Sequence, residues 1–158
     1  MFPFKKRQTN YERSNSITAV DFPVFENTRK LFHELLKSKN TQKRQWLSDE
    51  LLDQLADLAR VDIVKLKISD ARQYHKKYKG RVVSKQYGYY RPQSNYIYIN
   101  NRTAVRGQIL APKTFVDTLM HEWMHHYDCK KLKLNSIHTS GFYARLKNLK
   151  VKLGYFYN

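Results

Sequence analysis

Residues 112–131 read PKTFVDTLMHEWMHHYDCKK, and this stretch decides how the chain folds. Apolar side chains recur in it every three or four residues, which is the spacing of one face of an α-helix. Pro112 suits the first turn of a helix, where its missing N–H costs no hydrogen bond. The stretch therefore predicts a long helix that packs against a sheet along a single apolar stripe.

Within that helix lies His121-Glu122-Trp123-Met124-His125, an instance of the pattern H-E-x-x-H. Four residues advance an α-helix by about 400°, so the two histidines project from one face and both imidazoles can bind one metal ion. Glu122 lies beside the first ligand and can reach a metal-bound water without binding the metal itself. The spacing predicts a zinc centre with Glu122 as catalytic base. The alternative is a pair of structural histidines beside an idle glutamate.

A catalytic zinc ion takes three protein ligands and leaves one position open. After His125 the chain offers His126, Asp128 and His138 as candidates for the third ligand. His126 is rotated about 100° from His125 around the helix and points away. Asp128 shares the ligand face but lies one turn further along, so the helix end would have to unwind. We favour His138, which lies thirteen residues after His125, where a short loop can return to the metal.

Two carboxylates are candidates for hydrogen bonds to the metal-binding histidines, rather than for binding the metal itself. Asp117 lies one turn before His121 and could accept the second N–H of that imidazole, which would fix its tautomer. The alternative is an acidic residue favoured near the helix start by the helix dipole. Asp128 is a candidate of the same kind, or else a solvated carboxylate at the helix end.

Three further helices are predicted from apolar stripes and capping residues. One begins near Asn27, and a second is capped by Ser48. The last helix follows Thr139 or Ser140 as its cap, and Gly154 is placed to end it.

Between the helices, the period of the apolar residues changes to that of strands. Residues 61–69, 81–90 and 95–100 are strand-like, and the turn residues of GYYRPQSN predict that the last two form an antiparallel hairpin. We expect residues 95–100 to be the edge strand. Residues 1–27 are polar and without a sustained period, which predicts a flexible or loosely packed N-terminal arm. The fold class expected is therefore α+β, with N-terminal helices, a small antiparallel sheet, the H-E-x-x-H helix and a C-terminal helix.

The chain is strongly basic, with 30 Lys and Arg against 13 Asp and Glu in 158 residues and a formal net charge of +17. Residues 63–158 carry nineteen of the basic and four of the acidic side chains, and eleven of the twelve tyrosines lie after residue 73. This balance predicts a polyanion as partner, most simply single-stranded or distorted DNA. A merely solubilising surface is the alternative. The candidates for contacts with DNA are Lys76, Lys77, Lys79, Arg81, Lys85, Arg91, Lys130, Lys131 and Lys133.

The composition also argues against several classes of protein. No apolar run approaches the ~18 residues of a membrane span, and the N-terminus lacks the apolar stretch of a secretory signal. We therefore expect no membrane partner and an intracellular location, in the cytoplasm, nucleoid or nucleus. Cys129 is the single cysteine, which excludes an internal disulfide and a four-cysteine zinc site.

Three parts of the chain together resemble the SprT-like zinc metallopeptidases, over about residues 28–154. They are the H-E-x-x-H helix, the hairpin sequence GYYRPQSNYIYIN before it, and His138-Thr139-Ser140-Gly141-Phe142 after it. In that family the third ligand is a histidine in a motif close to H-G-x-x-F, and Thr139 here stands in place of the glycine. The resemblance implies a zincin-like metallopeptidase domain over residues 28–158. It also implies site roles, namely His121, His125 and His138 as zinc ligands, Glu122 as base and Phe142 as core anchor.

The function expected is that of a zinc-dependent endopeptidase, in which Glu122 assists the attack of a metal-bound water on a peptide bond. Members of the family degrade proteins crosslinked to DNA in DNA repair, so the resemblance implies DNA-associated proteins as substrates. Many members carry a zinc ribbon, for which this sequence lacks cysteines, and contacts with DNA would fall to the basic domain itself. The alternatives are a non-catalytic DNA-binding protein with a structural or absent metal, and a metallopeptidase without dependence on nucleic acid.

Overall fold

Helices flank a small sheet, an arrangement consistent with the predicted α+β class. The computed structural model describes residues 7–72, 74–78 and 81–155, and their side chains outside residues 72–86. The helices are α1 (Asn10–Ser16), α2 (Glu26–Leu35), α3 (Thr41–Ala59), α4 (Pro112–Lys130) and α5 (Ser140–Lys152). The strands are β1 (Lys65–Arg72), β2 (Tyr74–Tyr78), β3 (Arg81–Gln86), β4 (Gly88–Arg91) and β5 (Tyr96–Arg102).

The main sheet is mixed, with the strand order β1-β5-β4. Strand β4 pairs antiparallel with β5, which confirms the predicted hairpin. Strand β1 runs parallel to β5, so the expectation of an antiparallel sheet was wrong for this pair. Between β1 and β4 the chain forms the separate antiparallel pair β2-β3, and this excursion lets it return on the opposite side of β5. The expected edge strand, residues 95–100, is consequently the central strand, and β1 and β4 form the two edges.

The core lies between the sheet and the long helix α4, which begins at Pro112 as predicted. Ile97 and Ile99 of β5 are fully buried on the side that faces the helices. Leu119 and Trp123 of α4 are equally buried and belong to the same cluster. This packing holds the face of α4 that carries the histidine pair at the margin of the core, next to strand β4.

The start of α3 shows how a buried polar residue can be mistaken for a helix cap in the sequence. Helix α3 begins seven residues before the predicted cap Ser48, because Asn40 caps it by accepting a hydrogen bond from the Lys43 N–H at 3.0 Å. Ser48 is buried in the middle of the helix. For α5 the prediction is confirmed, since the Thr139 side chain accepts a hydrogen bond from the Phe142 N–H at 3.0 Å.

The segment before α2 is packed into the protein, so the expectation of a loosely packed arm was wrong for residues 10–24. Val20, Phe22 and Val24 are buried, and the Phe22 ring meets the Trp123 ring edge-on at 6.1 Å between centroids. Ser14 of α1 is also buried. The segment looks polar in sequence because its buried groups are few and its backbone is satisfied by side chains from α5.

No helix in the described part of the chain is long and apolar enough to cross a membrane. This agrees with the hydropathy of the sequence. Helix α4, which carries the histidine pair, packs one side into the core and lines the cleft with the other.

Gly141 lies where α5 meets α1, and a Cβ there would overlap the carbonyl oxygen of Ser14. Alanine normally stabilises a helix by about 1 kcal/mol over glycine. Because of the overlap, we expect Gly141→Ala instead to lower the free energy of unfolding by about 1–3 kcal/mol, measured by urea denaturation. Val151→Ala, on the exposed side of the same helix, is the control. An unchanged or increased stability of Gly141→Ala would contradict the docking of α1.

Candidate metal centre

Three histidines come together between α4 and the segment that leads into α5. The Nε2 atom of His138 lies 3.1 Å from Nε2 of His121 and 3.0 Å from Nε2 of His125. His121 and His125 are one turn apart on α4, as the spacing predicts, and His138 immediately precedes the cap of α5. The three side chains form a group that could hold a metal ion.

The geometry of these nitrogens fits a cation better than it fits hydrogen bonds among the rings. Each Nε2 has one in-plane position, occupied by a proton or by a lone pair, so the Nε2 atom of His138 cannot bond to both neighbours. Three imidazole nitrogens around a tetrahedral ion at 2.0–2.1 Å would lie about 3.4 Å apart. The two separations from His138 Nε2 are only slightly shorter, and the ligand atoms of all three residues lie within 4.8 Å of one another. Neutral imidazole suits zinc and other first-row divalent metals.

Burial keeps the two helical imidazoles neutral. It lowers the pKa of His121 to about 4, with further contributions from His138 and Lys150. It lowers the pKa of His125 to about 3, with His121 and His138 adding to the effect. Both rings therefore present a lone pair at neutral pH, which is the form that binds a metal.

Phe142 forms the wall behind the histidines. Its ring is fully buried and stacks on the His125 ring at 4.6 Å between centroids, with the His121 ring edge-on at 5.1 Å. These contacts limit the rotation of both imidazoles. Phe142 therefore occupies the place in the core that the resemblance implied for it.

A hydrogen-bonded chain behind His125 fixes which nitrogen faces the site. The Asp128 carboxylate is fully buried and held by the Arg145 guanidinium at 3.0 and 2.8 Å. The Ser136 hydroxyl donates to Asp128 Oδ2 at 3.0 Å, and its oxygen lies 2.7 Å from Nδ1 of His125. Because a carboxylate only accepts, the hydroxyl proton points to Asp128, and Nδ1 of His125 donates to Ser136. The lone pair of His125 is thereby left on Nε2, towards the other two histidines.

Asp128 thus connects to His125, but through Ser136, a residue that the sequence analysis missed. The alternative that Asp128 is the third ligand is wrong, because Arg145 and Ser136 donate hydrogen bonds to both of its carboxylate oxygens. Asp117 does not hold His121. Its carboxylate pairs with Lys150 Nζ at 2.7 Å, and no hydrogen bond joins it to His121 among the described residues.

Glu122 lines the same cleft as the histidines. The cleft runs between β4 and α4, with one part of about 430 Å³ beside His121 and another of about 320 Å³ beside all three histidines. Burial raises the pKa of the Glu122 carboxyl to about 7. A cation beside the carboxyl would favour its ionised form, so the group is suited to take up and return a proton near neutral pH.

The remaining histidine of the helix, His126, has a structural role. Its Nε2–H donates to the carbonyl of Asp62 at 2.6 Å, and its Nδ1 accepts from the Tyr90 hydroxyl at 2.7 Å. The ring is fully buried and points away from the metal group, as the helix geometry predicts.

The basic residues predicted to contact DNA are spread over several parts of the molecule. Lys130 Nζ donates to the carbonyl of Pro92 at 3.0 Å, and Lys131 forms an ion pair with Asp21 at 3.8 Å. Lys133 lies in the loop before His138, and the Arg91 guanidinium lies over the Tyr89 ring at 4.9 Å. The side chains of the other five, Lys76, Lys77, Lys79, Arg81 and Lys85, lie outside the described part of the chain.

We expect His138→Ala to lose stoichiometric zinc, because two imidazoles on one helix turn hold the ion much more weakly than three. The measurement is metal analysis of the purified protein after dialysis against zinc-free buffer. His33→Ala, which removes a histidine of α2 outside the group, is the matched control and should keep its zinc. Equal zinc in wild type and His138→Ala would remove His138 from the ligand set.

Ser136→Ala should weaken zinc binding by about 10- to 100-fold, because it cuts the link between His125 and Asp128 while leaving all three ligands in place. The affinity is measured by competition with a chromophoric chelator. Ser16→Ala, an exposed serine of α1, serves as control. Wild-type affinity in Ser136→Ala would show that the link does not position His125.

Comparison of the chain with models of protein families, with curated proteins and with solved structures found no match. The resemblance to SprT-like metallopeptidases therefore stands on the motif residues quoted above. The site consists of three convergent imidazoles, a hydrogen-bonded chain behind His125 and a carboxyl group in the same cleft.

Proposed function

We propose that this protein is a zinc-dependent endopeptidase whose site consists of His121, His125, His138 and Glu122. The observation that carries the proposal is the convergence of three Nε2 atoms beside a buried carboxyl group in an open cleft. A structural zinc site is closed by four protein ligands, whereas three ligands leave a position for water or substrate. Among the described residues, the group offers three.

Zinc bound by the three imidazoles would polarise the carbonyl of a peptide bond and lower the pKa of water. Glu122 then takes a proton from the water that adds to the carbonyl carbon, and returns a proton to the leaving amine as the C–N bond breaks. Its raised pKa favours both steps, because a group that titrates near the working pH can accept and donate.

The edge strand β4 offers a way to hold the substrate. One side of β4 pairs with β5, and residues 88–90 line the cleft next to Glu122. An extended peptide can add to such an edge through main-chain hydrogen bonds, which are largely independent of its sequence. A broad specificity for unfolded or extended protein segments follows from this arrangement.

The net charge of +17 supports proteins associated with nucleic acid as the substrate class. A basic enzyme is concentrated on a polyanion, and proteins bound or crosslinked to the same polymer are then its nearest substrates. Zinc chemistry does not depend on this association. A metallopeptidase that ignores nucleic acid would show equal turnover with and without DNA.

Glu122→Gln should lower proteolysis by at least about 100-fold while zinc binding is retained, because the amide keeps the shape of the side chain but takes up no proton. Turnover is measured with a fluorescently quenched unfolded protein, with metal content determined on the same samples. Glu50→Gln, on the exposed side of α3, is the control. Loss of zinc in Glu122→Gln would assign Glu122 a structural role. Undiminished turnover by Glu122→Gln would refute the proposal, and so would a zinc-loaded wild type that shows no turnover.

A further inference from the structure

The main sheet has one face turned away from α4, and a set of aromatic and basic side chains shares that face. Ile97 and Ile99 of β5 are buried towards the helices, so Tyr96 and Tyr98 point to the opposite side. Residues paired across a sheet share a face, which places the neighbours of these tyrosines beside them. The resulting surface, here called the tyrosine face, consists of Lys65, Lys67, Tyr89, Arg91, Tyr96 and Tyr98.

The register arranges the tyrosine face in two rows across the three strands. Lys65 of β1 pairs with Tyr96, which pairs with Arg91 of β4. In the next row, Lys67 pairs with Tyr98, which pairs with Tyr89. Each row therefore begins with a lysine and continues into an aromatic ring.

The rings form a continuous surface rather than three isolated side chains. Tyr89 and Tyr98 are stacked, with centroids 5.3 Å apart and an interplanar angle of 13°. Tyr96 lies 6.3 Å from Tyr89, and the Arg91 guanidinium lies 4.9 Å above the Tyr89 ring. All three tyrosines remain partly exposed. Flat rings with accessible faces suit stacking on other planar groups.

The charge of the tyrosine face has one sign. Lys65 and Lys67 are exposed, and neither forms an ion pair with a described residue. Asp70 is the acidic residue of these three strands, and its carboxylate accepts a hydrogen bond from Thr41 of α3, on the other side of the sheet. The face thus combines unneutralised cations with aromatic rings and carries no anion.

We infer that the tyrosine face binds single-stranded nucleic acid. Unpaired bases stack on aromatic rings whatever their sequence, and lysine and arginine beside the rings neutralise the phosphates between them. A duplex keeps its bases stacked on one another and offers only its phosphates to such a surface. The charge and the rings together therefore select a single strand over a duplex and over a neutral partner.

The tyrosine face also adjoins the metal centre. Tyr89 and Pro92 line the cleft that contains Glu122 and the three histidines. A strand bound on the face would run past the mouth of this cleft, so a protein attached to the strand would be presented to it. This link to proteolysis rests on the proposed function, whereas binding itself depends on neither zinc nor Glu122.

The test is fluorescence anisotropy with a labelled oligothymidine of about twelve nucleotides, which spans a typical single-strand site. We expect Tyr98→Ala to weaken binding by about 5- to 100-fold, the loss of one stacked base, and Tyr98→Phe to bind like the wild type. Tyr11→Ala, which removes an exposed ring on α1, is the matched control. Circular dichroism checks that each variant is folded.

Lysine variants give a second, independent readout. Lys67→Gln should reduce the slope of log affinity against log salt by about one, because one phosphate contact is lost. Lys30→Gln, an exposed lysine of α2, should change neither slope nor affinity. All measurements use the wild-type chain and its single variants in the absence of a protein substrate, so a failure of the proposed proteolysis does not affect them.

Several outcomes would overturn the inference. If Tyr98→Ala binds as tightly as the wild type, or if Tyr98→Ala and Tyr98→Phe lose the same affinity, the ring does not stack on a base. If the wild type binds a duplex of the same length equally well, or does not bind the oligothymidine at all, the face is not a site for a single strand. Weak binding by Tyr98→Ala together with normal binding by Tyr98→Phe supports it.

Discussion

The buried ion pair between Arg145 and Asp128 is the interaction on which the rest of this structure depends. Both side chains are wholly inaccessible, and breaking such a pair leaves an uncompensated charge at a cost of about 3–5 kcal/mol. The remaining donors of Arg145 reach the carbonyls of Ser14 and Ile17 and the Ser14 hydroxyl. On the other side, Asp128 reaches the histidine group through Ser136. One network therefore holds α1, α4, α5 and the histidine group in register.

Strand β4 plays a comparable part on the other side of the cleft. It is one of the two edges of the main sheet, one wall of the cleft and a member of the tyrosine face. Its close pairing with β5 requires a glycine at residue 88, since a Cβ there would overlap the carbonyl oxygen of Tyr98. A short strand thus adjoins both the proposed site of hydrolysis and the inferred site for nucleic acid, which brings the two within a few residues of each other.

The local features of this protein could be predicted from the sequence, and those set by distant contacts could not. Pro112, the helical spacing of His121 and His125, the cap at Thr139 and the β4-β5 hairpin all depend on neighbours along the chain. The parallel pairing of β1 with β5 and the link through Ser136 depend on contacts that spacing does not encode. The packed N-terminal segment had one usable signal, the alternation of Val20, Phe22 and Val24. Its buried Ser14 concealed the rest, because a polar residue satisfied by a distant arginine resembles a surface residue in sequence.

The docking of α1 on α5 also sets an order of events during synthesis of the chain. The carbonyls of Ser14 and Ile17 accept hydrogen bonds from the guanidinium of Arg145, which is translated about 130 residues later. Until that residue has left the ribosome, Asp128 has no counter-ion and the histidines have no fixed wall or support. A nascent chain therefore assembles the support of its histidine group only after α5 has been made.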